Sequence, residues 1–349
     1  MILLIVILSL GAGLLSLHSF HERRNRIAAW YVLGIILVFV AGMRAWDGVV
    51  VDHDYRLYRA AFHNWQAYSI EPTFKWLAAT AHFLGGEQDA ELLFFIFYAA
   101  IGVMLKFAAI PRLTELWFLS AMVYLGNFYM LHEMTQIRVG VASGLFLLAL
   151  VPLYRRQFWR FFLLCSLATL FHYSSLILFL LWVLHTKTIR QRAIYLIIIP
   201  LSYVLFLIGM DATRMIALLP IPFIEQKVEL YNKAMSTGQM TDINIFNAFQ
   251  LTRTLVVLFL VYKSHVIERY NKYAPMLIKI YVWGVACFVI FAKIPAFGFR
   301  ISELLSIVEI VAVPMIAYAF IQKRLSMFFA VMVASIFLFI NLFYAKLIF

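Results

Sequence analysis

Residues 158–184 read FWRFFLLCSLATLFHYSSLILFLLWVL, an apolar run interrupted by the polar residues 172–175. A helix that crosses a membrane needs about 20 mainly apolar residues, so this run can form one long span or two short helices. Basic clusters precede and follow it, at residues 155–156 and 187–192. Because Lys and Arg accumulate in cytoplasmic connections, the two clusters share one side of a membrane only if the chain turns back at residues 172–175. We therefore predict two short helices that meet at this polar turn.

The composition of the whole chain is that of an integral membrane protein. Of its 349 residues, 64% are hydrophobic and 13% are charged, and the mean hydropathy is +0.91. Soluble domains contain roughly 45–50% apolar and about 25% charged residues. These proportions exclude a soluble enzyme, a nucleic-acid-binding domain and a disordered scaffold. Cys165 and Cys287 both lie in apolar runs, so we expect neither a disulfide framework nor a metal cluster.

The expected fold class is all-α, a single polytopic membrane domain over residues 1–349 with about twelve spans. No basic segment precedes the first apolar run, so we expect that run to be a retained span rather than a signal peptide. The predicted spans cover residues 2–20, 27–46, 91–110, 114–131, 137–154, 159–171, 174–186, 193–210, 245–263, 276–293, 301–321 and 326–347.

The net charge of +12 is concentrated in alternate connections between these spans. Those connections hold about 15 Lys and Arg, opposed by Glu22, Glu115 and Glu268, and this difference accounts for the whole excess. We expect this side to be cytoplasmic and both termini to face outward. The outward side then contains two long segments. We expect residues 47–91 to form a first outward segment with amphipathic helices that lie in the membrane interface, and residues 211–244 to form a second outward loop.

Arginines in the outward half are candidates for ligand binding. Ionisable groups inside a membrane are costly and therefore suggest function, and guanidinium groups bind phosphate oxygens in a bidentate way. The alternative is snorkelling or pairing with local carboxylates. Snorkelling alone is our interpretation of two lysines near cytoplasmic span ends, Lys106 and Lys279. The five arginines are Arg44, Arg138, Arg214, Arg253 and Arg300.

Acidic residues and a histidine on the same side are candidates for acid–base chemistry. Asp52 and Asp54 form a D-x-D pair, which can bind a divalent ion or supply a general base. The alternative is a solvated loop whose acids pair with neighbouring arginines. Glu71-Pro72 predicts a helix start, since Pro suits the first turn and Glu suits the helix dipole there. His172 could transfer protons or could simply satisfy the backbone of a turn.

These elements, in this order, resemble the EpsG family, relatives of the Wzy-type O-antigen polymerases. The resemblance covers about residues 44–310 and rests on five short motifs. One departure concerns Gln136, which precedes the arginine here although the family often has Arg-Gln. The motifs are an Arg before an acidic, Tyr-containing segment (Arg44, Asp52, Asp54, Tyr55, Tyr58), Glu71 with Phe74 and Leu77, Gln136-Ile137-Arg138 before small residues, Phe171-His172-Tyr173-Ser174-Ser175, and Phe299-Arg300 with Leu304.

The resemblance implies a bacterial inner-membrane enzyme, grouped with the GT-C glycosyltransferases, whose active site faces the periplasm. Such enzymes transfer a growing glycan from undecaprenyl pyrophosphate onto the next lipid-linked repeat unit, and a chain-length regulator is a possible partner. An O-antigen ligase and a lipid-linked oligosaccharide flippase or transporter are the alternatives. We expect no cofactor, no metal and no nucleic acid.

Each candidate residue receives a role in that reaction. As catalytic residues we expect Asp54, Glu71 and His172, and as pyrophosphate-binding residues Arg44, Arg138, Arg253 and Arg300. As substrate-binding residues we expect Asp52, Tyr55, Gln136, Tyr173, Ser174, Arg214 and Glu303.

Overall fold

A computed structural model describes residues 1–18, 20, 22–44, 54–67, 71–209 and 243–344, except for the side chains of residues 295–296. Within these ranges all regular secondary structure is helical. The predicted all-α membrane class is therefore confirmed. The predicted loop at 211–244 falls almost entirely outside the described residues, and so do Asp52 and Arg214.

Thirteen α-helices, α1 to α13, occur in the described ranges, together with two π-helical and two 3₁₀ segments. The α-helices are α1 Ile2–Leu17, α2 Arg23–Gly42, α3 Tyr55–His63, α4 Pro72–Leu113, α5 Trp117–Gly126, α6 Ile137–Arg155, α7 Phe158–Phe171, α8 Arg192–Leu207, α9 Ala248–Ile267, α10 Ala274–Ile290, α11 Pro295–Ser306, α12 Glu309–Ala312 and α13 Lys323–Phe339. The π-helical segments are Tyr129–Thr135 and Ile340–Tyr344, and the 3₁₀ segments are Tyr173–Val183 and Val313–Tyr318.

Five helical stretches among the described residues are long and apolar enough to cross a membrane. Six further apolar helices have only 10–17 residues. The chain is thus a multi-pass membrane protein, while the number of twelve spans stays a prediction. The five stretches are Arg23–Gly42, Pro72–Leu113, Ile137–Arg155, Phe297–Tyr318 and Lys323–Tyr344.

The chain forms two compact units. The first comprises Met1–Thr186 and Glu309–Phe349, and the second comprises Lys187–Val308. In the first unit α4 packs against both α2 and α6, and α6 packs against α7. In the second unit α10 packs against α8, α9 and α11.

The predicted turn at residues 172–175 is confirmed. Helix α7 ends at Phe171, His172 has an extended backbone, and the 3₁₀ segment Tyr173–Val183 follows. Ring contacts join Phe158 to Trp182 and Phe162 to Phe179, with centroids 5.3 and 5.1 Å apart, so the two helices run back along each other.

The predicted helix start at Glu71-Pro72 is also confirmed, with Glu71 as the N-cap residue and Pro72 in the first turn. Helix α4 runs from Pro72 to Leu113, and the membrane boundary expected at residue 91 stays a prediction. It bends at Gly86, whose φ of 58° lies in the left-handed region that glycine tolerates and other residues rarely adopt. The helical residues before this bend belong to the predicted outward segment, and those after it contain the predicted span.

Candidate functional site

Three of the predicted site residues, distant in sequence, come together in the first unit. The Arg138 guanidinium pairs with the Glu71 carboxylate through Nη1 and Oε2. On the other side of that carboxylate, His172 Nδ1 lies 3.4 Å from Glu71 Oε1. Glu71 and His172 are buried, with 4% and 6% exposure, while the Arg138 side chain keeps 25%. The cluster thus presents one partly accessible cation beside a buried carboxylate and a buried imidazole.

Local structure explains why these residues meet. Glu71 precedes the first turn of α4, Arg138 lies in the first turn of α6, and His172 follows the last residue of α7. The Thr73 hydroxyl donates to the Leu170 carbonyl oxygen at 2.7 Å and so ties the start of α4 to the end of α7. Sequence analysis placed these residues on one side of the membrane but did not predict their contact.

Tyr58 completes this cluster from helix α3. Arg138 Nε lies 3.5 Å from the Tyr58 hydroxyl oxygen, and the guanidinium carbon lies 5.6 Å from the Tyr58 ring centroid. Burial raises the pKa of Tyr58 despite the opposing charge of Arg138. Tyr58 therefore remains a neutral phenol that can accept from Arg138 and hold its direction. We name Tyr58, Glu71, Arg138 and His172 the Glu71 cluster.

The electrostatics of the cluster favour an ionised Glu71. Burial alone would raise the pKa of its carboxyl, but the contact with His172 and the charge of Arg138 outweigh burial and hold the pKa at about 2. A carboxylate with so low a pKa is a poor proton acceptor near neutral pH. Both ring nitrogens of His172 are buried, and neither makes a hydrogen bond among the described residues, so the 3.4 Å contact of Nδ1 with Glu71 is electrostatic.

A second group of polar residues surrounds Glu91, a residue that sequence analysis did not single out. Its carboxylate accepts from the Tyr55 hydroxyl at 2.8 Å and from Arg59 Nε at 3.0 Å, and His63 Nε2 lies 3.1 Å away. Burial and Glu91 together raise the pKa of Tyr55 to about 12. The spacing of Tyr55, Arg59 and His63 at every fourth residue is a signal that one helix face carries three groups able to bind a carboxylate.

Arg44 lies next to that group and is 2% exposed. Its Nη1 donates to the Ala41 carbonyl oxygen at 2.9 Å, and its guanidinium carbon lies 4.6 Å from the Phe95 ring centroid and 5.4 Å from that of Tyr55. Snorkelling to water therefore does not describe Arg44. Asp54, the N-cap residue of α3, is half-buried.

In the second unit, Arg253 is 3% exposed within α9, and its guanidinium carbon lies 4.2 Å from the Phe249 ring centroid. Arg300 in α11 is exposed, and Glu303, one turn later, is half-buried. These three residues belong to a different unit from the Glu71 cluster. Their predicted roles stay predictions.

Three of the remaining predicted substrate-binding residues lie beside the Glu71 cluster in sequence. Gln136 is half-buried and precedes α6 as its N-cap residue. Tyr173 is exposed and Ser174 half-buried, both at the start of the 3₁₀ segment that follows His172. Asp52 and Arg214 cannot be placed, because they fall outside the ranges that the structure describes.

The interpretation of Lys106 as a snorkelling residue is wrong. Lys106 is 0% exposed, and its Nζ lies 2.5 Å from Oε1 of Glu133, which is 1% exposed. This pair could not be predicted from the sequence, because Glu133 lies in another helical segment, 27 residues away. Glu133 falls in the short connection between the predicted spans 114–131 and 137–154, where an acid is ordinary. Lys279 donates to the Thr188 carbonyl oxygen at 2.6 Å, within the second unit.

Comparison with known proteins gives one match. The model of the EpsG family matches residues 27–348, nearly the whole chain. No curated protein and no solved structure matches. Among the described residues, no group of three or more His, Cys, Asp or Glu side chains could hold a metal ion.

Proposed function

Since the chain belongs to the EpsG family, which is associated with Wzy-type polymerases, we propose that it is a polysaccharide polymerase of the bacterial inner membrane. In this proposal it transfers the growing glycan from undecaprenyl pyrophosphate onto the next lipid-linked repeat unit, on the periplasmic side. The fold would be GT-C-like, with about twelve spans. The single observation that carries the proposal is the meeting of Glu71, Arg138 and His172.

The reaction needs a cation for its leaving group. When the acceptor hydroxyl attacks the anomeric carbon of the donor sugar, the bond from that carbon to the pyrophosphate oxygen breaks and negative charge develops on the phosphates. Fixed guanidinium groups in a poorly hydrated site stabilise such charge. Arg138 suits this role because a quarter of its side chain is accessible while Glu71 and Tyr58 fix its direction. Arg44, Arg253 and Arg300 are further proposed pyrophosphate ligands.

The reaction also needs a base for the acceptor hydroxyl. Of the three candidates, Glu71 is a poor base because of its low pKa, and Asp54 is the N-cap residue of α3, one turn before Tyr58. His172 suits the role, since Glu71 can hold the Nδ1–H tautomer and leave the Nε2 lone pair to accept the proton. A single base and one displacement give inversion at the anomeric carbon. Asp52, Tyr55, Gln136, Tyr173, Ser174, Arg214 and Glu303 remain proposed contacts to the sugars.

Deletion of the gene, followed by glycan gel analysis, tests the proposal. A surface glycan with a single repeat unit supports the polymerase. Bare lipid A core with retained lipid-linked polymer would point to a ligase, and accumulation of lipid-linked units facing the cytoplasm would point to a flippase. Purified protein supplied with a defined lipid-linked repeat unit should form a ladder without other proteins. Absence of any ladder from folded protein would contradict the proposal.

A further inference from the structure

A buried ion pair joins α4 to the segment that precedes Arg138. Lys106 Nζ lies 2.5 Å from Glu133 Oε1, and it also donates to the carbonyl oxygens of Gly140 at 2.5 Å and Gly102 at 3.4 Å. A buried ion pair is often no more stabilising than apolar residues of the same volume. The Lys106–Glu133 pair is therefore not explained by its contribution to the stability of the fold. We look for a functional reason in where the pair lies.

The pair bridges a junction between two kinds of helix. Glu133 belongs to the π-helical segment Tyr129–Thr135, and Gly140 belongs to the first turn of α6, which begins at Ile137. The Lys106 ammonium contacts both, so it links the chain before the junction to the chain after it. Single π-helical turns occur frequently at functional sites.

A second link crosses the same junction. His132 Nδ1 lies 3.1 Å from the Ser143 hydroxyl, which in turn lies 2.9 Å from the Gly140 carbonyl oxygen. The Gly140 carbonyl thus receives both Lys106 and Ser143. The Ser143 bond to Gly140 lies within α6, so the contacts that tie α6 to the preceding segment are His132 with Ser143 and Lys106 with Glu133 and Gly140.

Arg138 is a residue of that first turn. A small rotation of the turn would move its guanidinium away from Glu71 and Tyr58. We infer that Lys106 and Glu133 are positioning residues, forming a clamp on the first turn of α6 that directs Arg138 at the Glu71 cluster. The catalytic consequence of the clamp rests on the proposed function.

The test uses the full-length protein with Lys106→Met and Glu133→Gln combined. Either change alone leaves one buried charge without its partner and would lower the yield of folded protein, whereas the combined variant removes both charges with little change of shape. We expect it to fold and insert but to turn over about tenfold more slowly or worse, because misplacement of a catalytic group by about 1 Å can cost 100-fold. The KM for the lipid-linked unit should change much less than kcat. Normal kcat in the combined variant would overturn the inference.

A cycle with Arg138→Lys separates positioning from general weakening. If the clamp acts through Arg138, the combined change should have little further effect on turnover once Arg138 is replaced. Trp30→Phe is the matched control, since it removes a buried hydrogen bond of 2.9 Å to the Phe107 carbonyl, also on α4. Its effect on turnover should be small and additive. Additive losses from the clamp variant would overturn the inference.

Hydrogen exchange distinguishes failure of the clamp from failure of the proposed function. The amides of residues 140–143, the first of α6 with backbone acceptors, should exchange faster in the combined variant than in the wild type, and this measurement needs no substrate. If the wild-type protein forms no polymer but these amides are deprotected in the variant, the proposed function fails and the clamp stands. Unchanged protection at residues 140–143 would overturn the clamp.

Discussion

At the scale of single residues, the Glu71 carboxylate does most to organise the candidate site. One of its oxygens accepts from Arg138 and the other lies 3.4 Å from His172 Nδ1. His172 and Arg138 stabilise the ionised carboxylate by more than burial penalises it, which is why its pKa lies at about 2. We therefore expect Glu71 to act by holding its two neighbours rather than by exchanging protons.

The low pKa of Glu71 predicts how its contribution to stability depends on pH. The pKa is about 2 in the folded protein and 4.5 for the ordinary carboxyl. The ionised group therefore stabilises the fold fully above pH 4.5, and this contribution is lost as the pH falls towards 2. Glu71→Gln should lower the unfolding temperature in detergent at pH 7, and the difference from wild type should shrink at pH 3. A difference that is as large at pH 3 as at pH 7 would contradict the ionised state.

The roles of the cluster predict distinct defects in turnover. His172→Asn should lower kcat for polymer formation by about 100-fold or more, because it removes the proposed proton acceptor. Asp54→Asn, the matched control for a base outside the cluster, should retain most activity. Both are measured on purified protein with a defined lipid-linked repeat unit. Full activity in His172→Asn together with loss in Asp54→Asn would move the base to Asp54.

The arginines of the second unit have a prediction of their own. If Arg253 and Arg300 bind pyrophosphate, Arg253→Ala and Arg300→Ala should each abolish polymer while the protein still inserts. Arg253 is 3% exposed beside Phe249, so insertion must be verified separately by membrane fractionation. Arg324→Ala, an exposed arginine of the basic connections, is the control and should leave the glycan ladder unchanged. Normal ladders from both Arg253→Ala and Arg300→Ala would contradict the pyrophosphate assignment.

At the scale of helices, the contacts among α4, α6 and the π-helical segment Tyr129–Thr135 depend on glycines. A Cβ atom added at Gly140 would lie 2.9 Å from Glu133 Oε2 and 2.6 Å from the His132 carbonyl oxygen. A Cβ at Gly102 would also collide with the Glu133 carboxylate. At Gly144 it would lie 2.8 Å from Leu105 Cβ. Small residues allow helices to approach closely, and here they also leave room for the buried carboxylate.

This packing predicts a specific effect of one methyl group. Gly102→Ala should displace Glu133 and lower both stability and turnover, with a stability loss of about 1–3 kcal/mol for overpacking. Gly11→Ala is the matched control. Gly11 lies in α1 of the same unit, and a Cβ atom added there would have no neighbour within 4 Å. This variant should be neutral or slightly stabilising, since Ala favours a helix over Gly. Equal unfolding temperatures for the two variants would contradict the close packing.

Some features of the helices could be predicted from the sequence, and others could not. The turn at His172 and the start of α4 at Pro72 were predictable, because charge pattern, proline position and polar residues are local signals. The Lys106–Glu133 pair was not, since each residue judged alone fits snorkelling or a loop. The contact of Glu71, Arg138 and His172 depends on how α4, α6 and α7 pack, and one sequence gives no pairwise contacts. The π-helical segment is an irregularity that apolar periodicity does not reveal.

At the scale of the whole molecule, charge carries the information on orientation. The excess of +12 is accounted for by connections that share one predicted side, so it reports topology rather than an anionic partner. The remaining Lys and Arg are balanced by acids, and the candidate site lies in that balanced part of the chain. An anionic ligand is therefore indicated only by individual arginines of that part, Arg44, Arg138, Arg253 and Arg300.

The predicted orientation can be measured with single cysteines. Arg56 in α3 belongs to the predicted outward segment, whereas Lys323 at the start of α13 belongs to a predicted cytoplasmic connection, and both are exposed. With Cys165 and Cys287 replaced, a membrane-impermeant thiol reagent should modify Arg56→Cys in right-side-out spheroplasts. It should modify Lys323→Cys only after permeabilisation. The opposite pattern would place the Glu71 cluster on the cytoplasmic side, where the proposed polymerase reaction could not use outward-facing lipid-linked units.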